Sequence, residues 1–195
     1  MQKRTSFFIL LFLSSLILIS LFPGCLPVTP TVTVNAELLA IGDPYGGGKV
    51  AYIDGSGIHG LIAATADAVT EMVWSNITTT SVGTTGTAIG TGQANTTLIV
   101  AQISSWPYSS GCTSGAAYYC ATLDEGGYTD WFLPSKDELN KLWINRVAIG
   151  GFAYAYYWSS TEHYTSTAWY QYFGYGYQNL TNKYFTNHVR AVRAF

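Results

Sequence analysis

The sequence is poor in charged residues and contains few of the groups on which enzymes depend. Only 10% of its 195 residues are Asp, Glu, Lys or Arg, and it has three His and three Cys. Beyond the first few residues no Lys/Arg cluster occurs, which disfavours a nucleic-acid partner because phosphate binding needs a basic patch. Since 48% of the residues are apolar, the chain can build a full core, and its length allows one domain plus an export segment.

Motifs for catalysis and metal binding are also missing. The three histidines, His59, His163 and His188, are not accompanied by a Gly-x-Ser-x-Gly motif. Cys and His do not cluster at the spacing of a zinc site, and no Asp-x-Asp-x-Asp-Gly calcium loop is present. We therefore predict no enzyme activity, no cofactor and no bound metal.

The N-terminus is typical of an exported protein. Lys3 and Arg4 precede an apolar run over 7–22, and Pro23 ends this run. Gly24-Cys25 follows directly and resembles the lipobox of bacterial lipoproteins, in which the Cys is lipidated. We predict a lipoprotein signal peptide over 1–25, lipidation of Cys25 and display at the cell surface on a membrane.

Two alternatives to the lipid anchor stay open. Val34-Asn35-Ala36 could be an ordinary signal-peptidase site, and the apolar run could be an uncleaved anchor helix. The cysteines favour lipidation, because Cys112 and Cys120 can form a disulfide in an oxidising compartment and leave Cys25 as the odd one. Residues 26–40 are rich in Pro and Thr and predict an extended tether, so the domain occupies 41–195.

Within the domain, apolar spacing and turn residues predict a mixture of strands and helices. The predicted elements are strands at 49–53 and 60–64, joined as a hairpin after a turn signal at Asp54-Gly55, further strands at 169–173 and 189–195, helices at 95–102 and 116–123, and a surface loop at 78–92. In the strand 169–173, Trp169, Gln171 and Phe173 should face inwards while Tyr170 and Tyr172 face outwards. A turn at Tyr175-Gly176 follows this strand.

The clearest local signal is a helix start at Ser135. Ser135 and Glu138 have the spacing of a capping box, in which each side chain accepts a hydrogen bond from the backbone of the other. Leu139, Leu142 and Trp143 then recur at helical spacing, and Gly150-Gly151 should mark the end of the helix.

Three segments resemble a known family: Tyr45-Gly-Gly-Gly-Lys-Val-Ala-Tyr-Ile-Asp54, Gly127-Tyr-Thr-Asp-Trp-Phe-Leu-Pro-Ser-Lys-Asp-Glu-Leu139, and Tyr157-Trp-Ser-Ser-Thr-Glu162 with the ending 189–195. They are similar to C-type-lectin-like domains of the formylglycine-generating-enzyme type, found in bacterial surface lipoproteins and collagen-like adhesins. The resemblance implies an α+β fold with short antiparallel strands and two or three helices.

The resemblance also brings enzymatic and lectin alternatives, which this sequence disfavours. Formylglycine formation relies on a pair of cysteines towards the C-terminus, and no Cys follows Cys120. The Glu-Pro-Asn, Gln-Pro-Asp and Trp-Asn-Asp signatures of calcium-dependent lectins are absent. Sugar binding without metal, by stacking on exposed Tyr, remains an alternative.

The C-terminal part is further similar to variable proteins diversified by retroelements, in which adenine-directed mutagenesis rewrites Asn codons. Such codons never encode Lys, Gln, Glu, Met or Trp. The implied scaffold is Trp158, Glu162, Trp169, Gln171, Phe173, Gly176, Gln178, Lys183 and 189–195. The other positions of the region 154–188 that we take as variable all carry permitted residues.

A diversified binding surface agrees with the composition of this region. Nine of the 15 Tyr lie between Tyr154 and Tyr184, among Asn, Ser and Thr, as in an antibody paratope. The alternative is that these Tyr residues occur here only because Tyr is favoured in β-strands, with no role in binding. We predict a protein or glycan ligand that contacts Tyr154, Tyr156, His163, Tyr164, Thr165, Ser166, Thr167, Tyr170, Tyr172, Tyr175, Tyr177, Asn179, Leu180, Thr181, Asn182, Tyr184, Phe185, Thr186, Asn187 and His188.

Overall fold

The computed structural model describes residues 38–83, 85–105 and 114–195, with 103–105 as helical backbone only. The predicted signal peptide, Cys25, most of the predicted tether and Cys112 lie outside the described residues. Within the described ranges no helix combines the length and the hydropathy that a bilayer-spanning segment requires.

Short strands and helices alternate along the chain. In order they are β1 (Pro44–Tyr45), β2 (Gly48–Ile53), β3 (Gly60–Ala63), α1 (Gly92–Ser105), α2 (Ala116–Thr122), α3 (Lys136–Ile144), α4 (Arg146–Ile149), β4 (Tyr156–Tyr164), β5 (Thr167–Tyr172), β6 (Gln178–Asn182) and β7 (Val192–Ala194). The strands and helices predicted from the sequence are thus confirmed in type, and an α+β fold is confirmed with them.

The first sheet has the order β1-β2-β3-β7 and is antiparallel throughout. β2 and β3 form the predicted hairpin, in which Val50 lies opposite Ile62. Asp54 shapes its turn, because its carboxylate accepts hydrogen bonds from the backbone and hydroxyl of Ser56. β7 pairs with β3 and so fixes the C-terminus in the sheet, with Leu61 opposite Ala194.

The last predicted strand is shorter than expected. We predicted a strand over 189–195, whereas β7 spans Val192–Ala194. Residues before β7 still pair, but as separate backbone contacts: Ala64 N donates to Ala191 O over 2.9 Å, and Ala68 N donates to Val189 O over 2.9 Å. The segment is extended without a continuous ladder because its partner segment leaves the sheet after Ala63.

The second sheet is the antiparallel trio β4-β5-β6. Trp158 on β4 lies opposite Tyr170 on β5, which in turn lies opposite Asn179 on β6. Tyr157 also forms a parallel bridge with His188, so the chain that follows β6 returns beside β4. The second sheet therefore brings the whole region 154–188 onto one part of the molecule.

The predicted capping box of α3 is confirmed. Glu138 N donates to Ser135 Oγ over 3.3 Å, and Ser135 N donates to Glu138 Oε2 over 2.7 Å. Leu139 and Leu142 are buried, as their spacing predicts. Burial raises the pKa of Glu138, although backbone hydrogen bonds to its carboxylate oppose this shift.

The end of α3 differs from the prediction. α3 ends at Ile144, and the short α4 follows a break at Asn145. The Asn145 side chain donates from Nδ2 to Ala51 O over 2.8 Å, which ties the break to β2. The glycines end α4 instead, since Gly150 has a φ of 76°, a left-handed conformation that favours glycine.

Two hydrophobic clusters form the core. One surrounds Trp74 and Trp158 and contains residues of α1 and α2, and the other contains Leu139, Tyr157 and Phe173. Cys120 is fully buried in the first cluster, and burial raises the pKa of its thiol. Because Cys112 lies outside the described residues, the Cys112–Cys120 disulfide stays a prediction.

Candidate functional site

Six tyrosines form a contiguous set of rings on the second sheet and its adjoining loops, which we call the tyrosine cluster. Its members are Tyr154, Tyr156, Tyr170, Tyr172, Tyr175 and Tyr177. Tyr172 is central: its ring centroid lies 4.9 Å from that of Tyr156, 5.4 Å from Tyr177 and 5.7 Å from Tyr175. Tyr154 and Tyr175 are the most open, with 73% and 77% of their surface exposed.

The alternation of side chains along β5 explains why Tyr170 and Tyr172 lie on the opposite side of the strand from Gln171. Gln171 and Phe173 are buried, whereas Tyr170 and Tyr172 are half-buried on the other side of the strand. Gln171 Nε2 donates to Asn140 Oδ1 and to Gly176 O, each over 2.9 Å, so the inward face is tied to α3. Tyr170 and Tyr172 do not stand alone in solvent, because neighbouring tyrosine rings cover part of them.

Gly176 holds the turn that places Tyr175 and Tyr177. Its φ is 84°, and a Cβ at this position would lie 2.2 Å from the Trp143 ring. A side chain at 176 would therefore strain the backbone and displace the indole. The predicted turn is confirmed, and Trp143 closes against it from α3.

The remaining predicted contact residues flank the tyrosine cluster on two sides. His163 and Tyr164 at the end of β4, and Thr165 and Ser166 in the turn that follows, are exposed. Beyond the cluster, Asn179, Tyr184, Phe185 and Thr186 are exposed, whereas Thr167, Leu180, Thr181, Asn182 and His188 are half-buried. Asn187 is only 6% exposed, because its backbone pairs with Met72 in both directions over 3.0 Å. We call the solvent-facing residues of 154–188, together with the cluster, the tyrosine-rich face.

The tyrosine-rich face has no exposed Asp, Glu, Lys or Arg side chain between 154 and 188. Glu162 and Lys183 are the only Asp, Glu, Lys or Arg residues between 154 and 188, and both are buried. A hydrogen bond with Tyr156 raises the pKa of Tyr177 to about 12, and burial raises the pKa of Tyr170. The face therefore presents phenol hydroxyls, imidazole, amides and alcohols.

The side chain of Lys183 is fully buried beneath the tyrosine-rich face. Its ammonium group forms a buried ion pair with Glu162, donates to Thr165 O over 2.8 Å and lies 4.5 Å from the centre of the Trp74 ring. Burial lowers the pKa of Lys183, and Glu162 opposes this shift. Lys183 thus connects the turn after β4 to the loop after β6.

Glu162 extends the same network into the loop that precedes α1. Its carboxylate accepts hydrogen bonds from Ser81 Oγ over 2.6 Å and from Val82 N over 3.0 Å. The implied scaffold residues Trp158, Glu162, Gln171, Phe173 and Lys183 are all buried. Trp169 is only half-buried, with the Lys136 ammonium 5.6 Å from its ring centre.

A second polar network forms around Asp67, which the sequence analysis did not single out. Arg190 Nε donates to Asp67 Oδ1 over 2.6 Å, and Tyr157 OH donates to Asp67 Oδ2 over 2.5 Å. Arg190 also donates to Gly151 O over 2.6 Å. Burial, helped by Asp67, raises the pKa of Tyr157. No sequence signal singles out Asp67, because it lies 123 positions from Arg190.

The histidines lie on different elements: His59 in the β2–β3 turn, His163 on β4 and His188 beyond β6. His188 lies beside two carboxylates, with Nδ1 3.7 Å from Asp67 Oδ2 and Nε2 3.2 Å from Glu71 Oε1. Across the part of the chain that the structure describes, no group of three or more His, Cys, Asp or Glu side chains is placed to hold a metal ion.

The comparison with known families agrees with this geometry. The model of the Lcl C-terminal domain family, a C-type-lectin-like family, matches residues 63–193, from the end of β3 into β7. No curated protein matches the chain in sequence. The match covers more than half of the chain and includes the entire tyrosine-rich face. The chain therefore belongs to the Lcl C-terminal domain family of C-type-lectin-like domains.

Proposed function

We propose that this protein is a surface-displayed binding protein and that the tyrosine-rich face is its ligand site. The observation that carries this proposal is the arrangement of two kinds of side chain in one segment. Exposed Tyr, Asn, Ser and Thr residues lie directly over buried residues such as Lys183 and Gln171, which hold the backbone.

The chemistry of the face suits recognition of a macromolecule or glycan. Tyr contributes a large, rigid and amphipathic contact area, because only two side-chain torsions have to be fixed. A contiguous group of exposed aromatic rings is uncommon on a monomer that has no partner. Because the face has no exposed Asp, Glu, Lys or Arg side chain, binding would depend mainly on stacking and hydrogen bonds and would change little with salt.

We further propose that the face is diversified by a retroelement. The support is that buried Trp, Gln, Glu and Lys residues alternate with exposed residues that mutated Asn codons can encode. Exchange of exposed side chains usually changes stability by less than about 0.5 kcal/mol, so many face sequences would fold on one scaffold. The DNA test is a near-copy of the 3′ end beside a reverse transcriptase, with differences chiefly at adenines.

A laboratory test of the binding proposal uses a library. In the full chain, the exposed positions of the tyrosine-rich face are randomised and the library is selected against a model protein such as lysozyme. We expect folded binders. A matched library that randomises buried positions, such as Gln171 and Phe173, should yield none. Failure of the first library to give folded variants would contradict the proposal.

Export and anchoring belong to the same proposal. Lipidation of Cys25 would attach the domain to a membrane, and the segment 26–40 would hold it away from the lipid surface. Replacement C25S should move the full chain from the detergent phase to the aqueous phase in a phase partition. Unchanged partition would favour an ordinary signal cleavage or an uncleaved anchor helix.

We also propose that the protein is not an enzyme. Cys120, the one cysteine among the described residues, is fully buried and its thiol pKa is raised, which disfavours the thiolate that formylglycine chemistry would need. Copper-dependent oxidation of a Cys-bearing peptide should therefore show no turnover with the full chain. Measurable turnover would overturn this part of the proposal.

A further inference from the structure

We propose that a basic and apolar patch on β2, α3 and α4 docks the domain on an anionic lipid bilayer. We call this patch the basic flank, and its members are Lys49, Lys141, Ile144, Arg146 and Val147. The inference rests on the lipid anchor proposed at Cys25 and goes beyond it, because an anchor alone leaves the orientation of the domain undefined. The partner that the flank fits is a membrane surface rich in anionic phospholipid.

The first observation concerns the ion pairs of the domain. The chain has nine Lys and Arg residues, of which Lys3 and Arg4 precede the domain. Four of the others form ion pairs with carboxylates, namely Lys136, Lys183, Arg190 and Arg193. The remaining three are Lys49, Lys141 and Arg146, and none of them forms an ion pair with a described residue. All cations of the domain that are not neutralised by a carboxylate thus belong to the basic flank.

These three cations lie on elements that pack against one another. Lys141 Nζ lies 5.1 Å from the centre of the Tyr52 ring, which connects α3 to β2. Lys49 on β2 lies beside Gly150, the residue that ends α4, with its Nζ 3.9 Å from the position of an added Cβ. Arg146 is the first residue of α4. The positive charge is therefore concentrated on one side of the domain.

Exposed aliphatic side chains lie among these cations. Ile144 is 52% exposed and Val147 is 87% exposed. Lys141, Ile144 and Val147 follow at intervals of three residues, which places them on neighbouring positions of a helix surface. Hydrogen bonds from Asn145 N to Lys141 O and from Ile149 N to Asn145 O, each over 3.1 Å, continue the helical path from α3 into α4. At a bilayer, such apolar groups enter the acyl boundary while adjacent cations meet the phosphates.

The chain enters the domain beside the basic flank. Gly42 packs against α4, since a Cβ at this position would lie 2.8 Å from Ala148 O. Cys25 precedes Leu38, the first described residue, by thirteen residues, which span at most about 45 Å. A lipidated Cys25 would keep the flank within reach of the bilayer at an effective concentration on the order of millimolar, so a weak surface affinity is sufficient.

The distribution of charge selects an anionic surface and one orientation. The net charge of the whole chain is -2, so an anionic bilayer does not attract the domain in an arbitrary orientation. The basic flank carries three cations, and the carboxylate of Asp43 in the nearby entry segment is engaged by Ala40 N over 2.7 Å. Attraction falls off within the Debye length of about 10 Å at 0.1 M salt, so it acts only when this flank faces the lipid.

The test uses the full lipidated chain, with labelled Ile, Leu and Val methyl groups, in nanodiscs of phosphatidylcholine with or without phosphatidylglycerol. A gadolinium-chelating lipid enhances the NMR relaxation of methyl groups near the bilayer. We expect a several-fold larger enhancement at Ile144 and Val147 than at Val69, which is fully exposed but lies between Asp67 and Glu71 in the sequence. The difference should require phosphatidylglycerol and should decrease at about 0.5 M salt, which shortens the Debye length.

Matched variants separate charge from apolar contact. K141Q removes an unpaired cation and should reduce the enhancement at Val147. The control K136Q removes a cation of the same helix that is already paired with Asp137 over 2.7 Å, and it should change the enhancement little. V147S should reduce the enhancement at Ile144, whereas V69S should not. An unchanged melting temperature of each variant shows that its fold is retained.

Three results would overturn the docking. Equal enhancement at Val69 and Val147 would describe a domain that moves freely on its tether. Enhancement that persists without phosphatidylglycerol and in K141Q would exclude the cations as the cause. Shifts of the Ile144 and Val147 resonances with protein concentration, without enhancement, would assign the flank to contacts between copies of the chain. The proposed anchor and ligand face have separate tests, the partition of C25S and ligand capture by tyrosine variants, so both can be confirmed while the docking is rejected.

Discussion

Lys183 and Glu162 form an ion pair that is closed off from solvent beneath the tyrosine-rich face. The side chain of Lys183 is fully buried, whereas the next residue, Tyr184, is 57% exposed. Two adjacent residues thus have different roles: Lys183 makes a structural contact, and Tyr184 is a candidate ligand contact. The pair explains how a loop that carries exchangeable side chains keeps its backbone in one position.

Replacement of Lys183 should therefore destabilise the domain strongly. K183M leaves the Glu162 carboxylate buried without its cation, and loss of one partner of a buried pair costs about 3–5 kcal/mol. The adjacent control Y184A should change the free energy of unfolding by less than about 0.5 kcal/mol, since Tyr184 is exposed. Denaturant unfolding measures both. A further variant, K183M with E162Q, should recover part of the loss, and no recovery would show that the pair is not the cause.

Tyr177 should lose its phenol proton at a higher pH than an ordinary tyrosine. Its hydrogen bond with Tyr156 raises its pKa to about 12, above the usual value of about 10. Because the folded-state pKa is the higher one, this group adds stability that is fully present below about pH 10 and is lost as the pH rises through about 12. NMR of tyrosine ring carbons across this range measures the titration. Y156F should return the Tyr177 pKa towards its usual value, and an unchanged pKa would exclude the hydrogen bond as the cause.

The pair Asp130–Arg193 should give a small dependence of stability on acid pH. Arg193 donates to both carboxylate oxygens, over 2.7 Å and 2.9 Å, and lowers the Asp130 pKa. A lowered carboxyl pKa adds stability above its unfolded value of about 3.9, and this stability is lost as the pH falls through the folded-state value. Asp130 is half-exposed, so the contribution should be below about 1 kcal/mol. D130N should flatten the change of stability between neutral and acid pH, and an unchanged slope would contradict this assignment.

The state of Cys120 distinguishes a buried thiol from the predicted disulfide. Cys120 is fully buried, so it should resist alkylation in the folded protein. If it pairs with Cys112, unfolding without reductant should still leave it unmodified, and mass spectrometry should find the two peptides linked. Alkylation of Cys120 on unfolding without reductant would reject the disulfide. Disulfide removal in C112S should lower stability by about 2–4 kcal/mol if the bond exists.

Local patterns were sufficient to predict the hairpin of β2 and β3, the capping box of α3 and the burial of Gln171 and Phe173. Each depends on residues close in sequence: Asp54 at a turn, Ser135 with Glu138, and the alternation of Gln171 and Phe173 with Tyr170 and Tyr172. These interactions form within a few residues, so the sequence carries them directly. Trp169, which was predicted to face inwards with Gln171 and Phe173, is only half-buried.

Features that depend on distant contacts could not be predicted. The break at Asn145 is stabilised by a hydrogen bond to Ala51, 94 positions away. Asp67 acquires its role only because the fold brings Arg190 and Tyr157 to it. Asn187 belongs to a region predicted to face the ligand, and its burial follows from the bridge to Met72. No local pattern signals such contacts.

The central claim is that exposed side chains of the tyrosine-rich face can be exchanged without loss of the fold. Its most direct test replaces the four most exposed tyrosines of this face, Tyr154, Tyr164, Tyr175 and Tyr184, by Ala together. The free energy of unfolding of the full chain and its binding to an array of immobilised proteins and neutral glycans are then measured. We expect binding to be lost while stability changes by no more than about 2 kcal/mol, whereas the control Y157A, which truncates a buried ring, should lose about 3–5 kcal/mol. Unfolding of the fourfold variant, or binding that persists in it, would contradict the assignment of this face as the ligand site.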